Sequence, residues 1–306
     1  MPFFARSPLT RRDFLKATAG TFGITTVAAA DSGSKQIAAG SAAGATVSNV
    51  PVGVQMYCFR HLLEEDFEGT LAQIATLGYD GVEFAGYYDY SAADLRRFLD
   101  SHGLAACGAH VGINMLLGDE LQRSVDFHGE LGNTRLIVPA IGNDRRAPMD
   151  AVMRTAEELT AIQEALRAHG MSTGYHCHAY NFNALVEGLT IWDVLANNTP
   201  DDLIVQLDTG NAANGGADVP DVIKSTAGRV RSMHLKPFTQ GAEFPFAPFI
   251  GDDKLPWPEI FELSESVGGI EWYVVEYEDE SHPPLEVLRA NRDRVRELGL
   301  YGMSTN

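Results

Sequence analysis

Residues 149–178, MDAVMRTAEELTAIQEALRAHGMSTGYHCH, contain one complete unit of the repeat that decides the fold. Apolar residues recur at spacings of three and four from Met149 to His169, which predicts an amphipathic helix. Gly170 follows, at a position where a left-handed helix cap is favoured. The run Ser172–Cys177 then predicts a short strand. The unit is therefore a helix, a tight connection and a strand that runs into polar side chains.

The same alternation continues through the rest of the chain from Val52 onward. The predicted strands are Val52–Cys58, Gly81–Phe84, Ala105–His110, Arg135–Val138, Ser172–Cys177, Leu203–Asp208, Val230–Leu235 and Trp272–Glu276. The clearest predicted helices are Phe67–Leu77, Ala92–His102, Met149–His169 and Leu285–Leu298, and the glycines expected just past helix ends are Gly78, Gly103, Gly170 and Gly299.

Eight strand–helix units in about 250 residues predict an α/β fold, a single-domain (β/α)8 TIM barrel over residues 51–306. An open, doubly wound sheet is the alternative. That fold is expected to carry a glycine-rich phosphate turn after its first strand, and Cys58-Phe59-Arg60-His61 stands there instead. The sequence therefore favours the closed barrel.

The N-terminal residues have the features of a twin-arginine export signal. Thr10–Lys16 reads TRRDFLK, and the weakly apolar stretch Ala17–Ala30 ends in three alanines, a typical cleavage site. This predicts a cleavable signal peptide over residues 1–30 and a flexible linker over residues 31–50. The apolar stretch is too short to span a bilayer stably. We expect a periplasmic or extracellular protein; a cytoplasmic protein with a disordered basic arm is the alternative.

The overall charge excludes some partners. The formal net charge of the chain is −18, and its first 30 residues contribute +3, which leaves about −21 on the remainder. Such a surface repels phosphate backbones, so nucleic acid is not an expected partner. Three cysteines, at positions 58, 107 and 177, are too few and too scattered for a disulfide framework.

Polar side chains stand at or near the ends of several predicted strands. They are Glu83, His110, His176, His178, Asp208, His234 and Glu276. Parallel barrel strands share one direction, so all of these residues are expected at the same rim. Each has a structural alternative, such as a hydrogen-bonded histidine or a helix cap at Asp208. Together they predict a divalent metal site, because charged groups inside a barrel need partners.

The ordered strand-end motifs resemble the xylose isomerase-like sugar isomerase/epimerase superfamily over about residues 51–300. The motifs are Gly81–Tyr87 (GVEFAGY), Ala109–Gly112 (AHVG), Gly174–His178 (GYHCH), Leu207–Asn211 (LDTGN), Met233–Lys236 (MHLK) and Val274–Tyr277 (VVEY). The resemblance implies one divalent ion, manganese first, with magnesium, zinc or cobalt as alternatives. It implies the ligands His176, Asp208, His234 and Glu276, with His178 as the competitor of His176.

The sequence departs at two places from the motifs of the branch of the superfamily that it resembles. Tyr-His-Asn-His-x-x-Glu-Phe appears here as Tyr175–Phe182, YHCHAYNF, so Cys177 replaces Asn and Asn181 replaces Glu. The usual Lys-Asp after the seventh-strand histidine is here Lys236-Pro237. A carboxylate that contacts substrate or metal in relatives is therefore missing at each place.

The resemblance implies a sugar isomerase or epimerase. The enzyme would abstract a proton next to the carbonyl of an unphosphorylated sugar or keto-sugar, through a metal-stabilised enediolate. Glu276 would be ligand and base, and Lys236 would stabilise the developing oxyanion. Glu83 and His110 would orient hydroxyls or supply a second acid/base. The expected substrate-binding residues are His178, Asn211 and Phe246, the last in the aromatic loop 238–250.

Other functions stay open at this point. A 3-keto-glycoside lyase or hydratase uses the same first step, and a non-catalytic sugar-binding barrel would explain the missing carboxylates. A metal-dependent phosphodiesterase of the endonuclease IV type would need a more basic surface. The expected partner is a small sugar, and a homo-oligomer is compatible with the family resemblance.

Overall fold

The computed structural model of this chain describes residues 49–246, 249–278 and 281–298. Eight parallel strands form a closed barrel in chain order, with the last strand paired to the first. They are β1 (Val52–Gln55), β2 (Gly81–Phe84), β3 (Ala105–His110), β4 (Arg135–Val138), β5 (Ser172–His176), β6 (Ile204–Asp208), β7 (Ser232–Leu235) and β8 (Trp272–Val275). The predicted TIM barrel is confirmed, and the open sheet is excluded.

Eight helices surround the barrel, one after each strand. They are α1 (Phe67–Leu77), α2 (Ala92–His102), α3 (Asp119–Leu131), α4 (Met149–Arg167), α5 (Ile191–Asn197), α6 (Val219–Ser225), α7 (Trp257–Leu263) and α8 (Pro284–Glu297). Short helices at Arg60–Glu65, Tyr180–Asn183 and Thr209–Asn214, and a hairpin of Leu185–Val186 with Leu189–Thr190, lie in loops that follow strands. Among the described residues, no helix is long and apolar enough to cross a membrane.

The predicted strand Val52–Cys58 is too long. β1 ends at Gln55, whose side-chain oxygen accepts a hydrogen bond from the backbone N–H of Tyr57 at 3.1 Å. That bond starts a turn of 3-10 helix over Met56–Phe59, so the chain leaves the barrel earlier than its apolar composition indicates. The predicted ends of the fifth and eighth strands each lie one residue too far as well.

Glycines end the helices where they were predicted within the described residues. Gly78 and Gly103 have φ angles of 79° and 67°, which residues with a side chain rarely adopt. The backbone N–H of Gly103 donates to carbonyls of the last turn of α2. Gly299, the signal peptide at residues 1–30 and the linker up to residue 48 lie outside the described residues.

A buried histidine lies on the outer layer, away from the barrel mouth. His128 on α3 is 2% exposed. Asn133 is held by the backbone of Arg135 and donates from its Nδ2 to His128 Nδ1 at 3.0 Å. His128 Nε2 then carries the proton towards the Tyr87 hydroxyl at 3.1 Å. Burial lowers the pKa of His128 to about 4, so the ring is neutral at pH 7.

This arrangement predicts a loss of stability in mild acid. The pKa of His128 is 6.5 in an exposed chain and about 4 here, so between these values only the unfolded chain binds the proton. The free energy of unfolding is therefore expected to fall by about 3 kcal/mol between pH 6.5 and pH 4 from this residue. Urea unfolding of the metal-free protein at several pH values measures it. His128→Gln should show a shallower decline, and parallel declines would contradict the assignment.

Candidate metal centre at the barrel mouth

The four side chains expected as ligands meet at the C-terminal mouth of the barrel. His176 ends β5, Asp208 ends β6, His234 lies in β7 and Glu276 directly follows β8. One donor atom from each lies within 4.8 Å of the others, and all four residues are buried. Asp208 and His234 are paired in the register of β6 and β7, which places them side by side.

The donor set fits a divalent cation. Two carboxylates and two imidazoles form a mixed oxygen and nitrogen site, which suits manganese, zinc or a similar ion. His176 Nε2 lies 3.8 Å from Asp208 Oδ2, a spacing that one metal ion bound to both atoms can bridge. Burial and the charge of His234 hold the pKa of His176 well below its usual value, so this nitrogen keeps its lone pair.

Asp208 combines the two roles considered for it. Its Oδ1 caps the helix Thr209–Asn214 by accepting from the backbone N–H of Asn211 at 2.7 Å. Its Oδ2 faces the cluster and accepts from Asn211 Nδ2 at 3.0 Å. Burial raises the pKa of Asp208 to about 7, against the opposing effect of Lys236. Gly210 makes this geometry possible, because a Cβ there would lie 2.9 Å from Lys236 Cγ.

His234 is held between two carboxylates. Its Nδ1 contacts Glu276 Oε2, and its Nε2 lies 2.6 Å from Glu83 Oε2. Burial alone would lower the pKa of His234, but Glu83 and Glu276 outweigh burial and raise it to about 10. The ring is therefore an imidazolium without an ion. Coordination by either nitrogen requires loss of a proton.

Glu83 and His110 adjoin this cluster, and His110 has a donor atom close to those of His176 and His234. Glu83 is fully buried and accepts from Gln55 Nε2 at 2.8 Å and from Gln206 Nε2 at 2.7 Å, besides His234. A Cβ at position 108 would lie 2.6 Å from Glu83 Oε1, so a glycine is needed on the neighbouring strand. His110 Nε2 lies 3.2 Å from Glu83 Oε2. The structure places Glu83 where it orients ligands; its predicted contact with substrate stays a prediction.

Gln206 is a site residue that the strand-end pattern missed. Its Oε1 accepts from His176 Nδ1 and from His110 Nε2, both at 2.9 Å. Its Nε2 donates to Glu83 and to the Ser232 hydroxyl at 2.9 Å. The carboxamide thereby fixes the proton of His176 on Nδ1 and leaves Nε2 for an ion. Gln206 lies two residues before Asp208 on the same strand, so the two side chains share the inward face. This spacing was the signal in the sequence that could have identified Gln206 as a site residue.

Replacement of Gln206 by leucine is expected to weaken metal binding about 10- to 100-fold, because the ring of His176 loses the acceptor that orients it. Titration calorimetry with manganese measures the affinity. Gln163→Leu is the matched control, since Gln163 is equally buried but binds Asp202 and the backbone of Thr173 away from the mouth. Equal losses of affinity in both variants would contradict this role for Gln206.

Lys236 is a buried part of the site rather than a solvated loop residue. Its Nζ donates to Glu278 Oε2 at 2.7 Å and lies 3.7 Å from both Asp208 Oδ2 and Glu276 Oε1. The ring of Phe246 covers it at 4.6 Å. Glu278 was not predicted from the sequence. It places a carboxylate next to Lys236 in a chain where Pro237 replaces the Asp that usually follows this lysine.

The other predicted substrate residues have defined neighbours. His178 lies outside the four-residue cluster, and its ring stacks on Tyr180 with centroids 5.5 Å apart. Burial, with the charge of Lys236, lowers the pKa of His178 to about 4, so it is neutral. Asn211 is buried against Asp208 and the carbonyl of Cys177, which makes it a support for that carboxylate.

The two residues that depart from the branch pattern have structural contacts here. Cys177 Sγ accepts from the backbone N–H of Asp208 at 3.1 Å and so supports a candidate ligand. Asn181 is fully buried; its Oδ1 accepts from the backbone N–H of His178 and its Nδ2 donates to the Tyr175 hydroxyl. Asn181 therefore holds the loop after β5, and its amide cannot act as a general acid or base at neutral pH.

Comparison with known proteins places the chain in a family. The sequence profile described as xylose isomerase-like TIM barrel matches residues 71–298. The chain belongs to this family. An inosose dehydratase of Geobacillus thermodenitrificans is 23% identical over 271 residues, covering 76% of this chain and 90% of that protein.

Solved structures agree with the fold. A sugar phosphate isomerase/epimerase from Parabacteroides distasonis matches with a TM-score of 0.71 at 21% identity, over 85% of this chain and 98% of that one. A probable 3-DHS dehydratase from Bacillus anthracis matches with a TM-score of 0.63 at 13% identity, over 80% and 98%. At these identities the likeness establishes the shared barrel.

Proposed function

We propose that this chain is a metal-dependent enzyme that removes the proton next to the carbonyl of an unphosphorylated keto-sugar. The observation that carries the proposal is the convergence of His176, Asp208, His234 and Glu276 at the mouth of the barrel. These four residues would hold a divalent ion, which would supply Lewis-acid polarisation of a carbonyl there.

Glu276 is the candidate base. Burial alone would raise the pKa of its carboxyl, but Lys236 and His234 outweigh burial and hold it well below its usual value. The carboxylate is therefore ionised at neutral pH and can accept a proton. Lys236, 3.7 Å away, stays protonated because Glu276, Asp208 and Glu278 raise its pKa against the effect of burial. Its charge would stabilise an oxyanion that develops in the same pocket.

The charge distribution favours a substrate without phosphate. Lys236 is already paired with Glu278 at 2.7 Å and lies among two further carboxylates, so a phosphate group would meet acidic neighbours. The net charge of −18 acts in the same direction. We also propose that the protein works outside the cytoplasm, on the strength of the twin-arginine motif at Arg11 and Arg12.

After proton removal, elimination is the outcome that the residues favour over epimerisation. Reprotonation on the opposite face of the carbon needs a second acid at that face. Asn181 stands where relatives of this branch have Glu, and its amide is held by His178 and Tyr175. Elimination of a β-substituent can use a base and an acid that lie on the same face of the sugar. The name of the sequence relative, an inosose dehydratase, agrees with this second, more specific proposal.

Proton exchange in deuterated water tests the proposed first step. Metal-loaded protein is incubated with a panel of keto-sugars, including an inosose and 3-keto-glucosides, and followed by NMR. We expect loss of the proton signal next to the carbonyl, and a new vinylic signal where elimination follows. Sugar binding without exchange across the panel would support a non-catalytic barrel and contradict the proposal.

A further inference from the structure

A cavity of about 420 Å³ lies beside the candidate metal centre, between the loop after β1 and the loop after β8. Phe59 and Leu62 form its wall on the first side, and Tyr277, Pro283 and Pro284 form it on the second. None of these residues belongs to the predicted site. The volume is in the range of ligand pockets in proteins, which is about 300–1,000 Å³.

The cavity is connected to the reacting groups through Glu278. Glu278 lines it and also accepts from Lys236 Nζ at 2.7 Å, which in turn lies 3.7 Å from Glu276. Cys58, another wall residue, accepts at its Sγ from the backbone N–H of Tyr277 at 3.1 Å. A molecule held at the cluster would therefore have this cavity within the length of one substituent.

The lining indicates what kind of group fits. Most of the wall surface is apolar, and Phe59, Leu62, Pro283 and Pro284 contribute to it. The polar side chains that also line the cavity are Arg60, His61, Glu278, Ser281 and His282. A sugar ring needs many hydrogen-bonding partners, whereas an aromatic or aliphatic group gains free energy from contact with such walls.

We propose that this cavity binds an apolar, preferably aromatic, substituent attached to the sugar. The substrate class is then a keto-glycoside with an aryl group, rather than a free keto-sugar or a second sugar unit. This inference rests on the proposed function, because the cluster must hold the sugar ring. Leu62 is the proposed specificity residue, since it belongs to the wall and is not one of the four residues of the cluster.

Binding of paired glycosides tests the proposal separately from catalysis. Titration calorimetry on the metal-loaded full chain compares phenyl and methyl 3-keto-β-glucosides. We expect the phenyl compound to bind about 10- to 100-fold more tightly, as burial of one aromatic ring allows. Leu62→Trp fills the cavity and should reduce this ratio towards one while affinity for the methyl compound and for manganese is unchanged.

Leu185→Trp is the matched control, since Leu185 is 64% exposed on the hairpin away from the cavity, and it should keep the full ratio. Ser281→Trp, at the cavity rim, replaces the test variant if Leu62→Trp does not fold. Equal binding of both glycosides by the wild type, or tighter binding of a keto-disaccharide than of the phenyl compound, would overturn the inference. Binding with the expected ratio but without proton exchange would support the cavity and contradict the proposed function.

Discussion

Asp208→Asn is expected to weaken binding of manganese at least about 100-fold. The substitution removes the charge of a carboxylate whose Oδ2 faces His176 and Lys236, and loss of a direct ligand should exceed the 10- to 100-fold effect typical of outer partners. The amide oxygen can still cap the helix Thr209–Asn214, so most of the stability should remain. Titration calorimetry and metal analysis after dialysis measure the affinity and the number of ions per chain.

Asp218→Asn is the matched control for this prediction. Asp218 caps α6 by accepting from the backbone N–H of Asp221 at 3.0 Å, and it lies outside the cluster. Asp218→Asn should therefore bind manganese with the affinity of the wild type. If Asp208→Asn binds manganese as the wild type does, the cluster at the mouth is not a metal site and the proposed function fails.

Glu276→Gln is expected to slow proton exchange about 100- to 10,000-fold in deuterated water, the range found when a general base is lost. The carboxylate contacts His234 and lies 3.7 Å from Lys236, and an amide in its place cannot accept a proton. Exchange rates are measured by NMR at saturating manganese, with the bound metal quantified in the same samples. That second measurement separates loss of the base from loss of a ligand.

Glu271→Gln is the matched control, because Glu271 and Glu276 flank the same strand. Glu271 directly precedes β8 at the opposite end of the barrel, where it pairs with Arg135 and Arg231. Its loss should lower stability without slowing exchange. A Glu276→Gln protein that retains its metal and exchanges at the wild-type rate would reject Glu276 as the base, and Lys236 or Glu278 would become the next candidate.

The rim that holds the candidate ligands could be located from the sequence because of a regularity of the fold. Once eight strands are assigned, the last residues of parallel strands must meet at one rim, which gathers the polar strand-end residues. The choice of His176, Asp208, His234 and Glu276 among them came from the resemblance of their motifs to the xylose isomerase-like superfamily. The pleat does not separate His176 from His178, because residues two apart share a strand face. The structure distinguishes them: His176 is the last residue of β5 and belongs to the four-residue cluster, and His178 lies beyond the strand and outside the cluster. The departure at Asn181 was equally visible, although its hydrogen bonds were not.

Other parts of the site depend on contacts that sequence periodicity does not report. Glu83 meets His234 across 151 positions, a contact that the strand-end pattern did not predict. Gln206 meets His110 across 96 positions, and Lys236 meets Glu278 across 42. Such pairs form only when the barrel closes. The early end of β1 at Gln55 has a local cause, a side-chain cap that competes with the strand ladder.

The sequence by itself determined the closed barrel and the rim at which its polar residues gather, because hydrophobic period and strand direction are local properties of the chain. The resemblance of its motifs to a known family then named the candidate ligands. Only the tertiary structure decided which groups orient those ligands, which carboxylate pairs with Lys236 and where a cavity adjoins the site. These features depend on distances between side chains that are remote in the sequence, and packing of the whole barrel sets those distances.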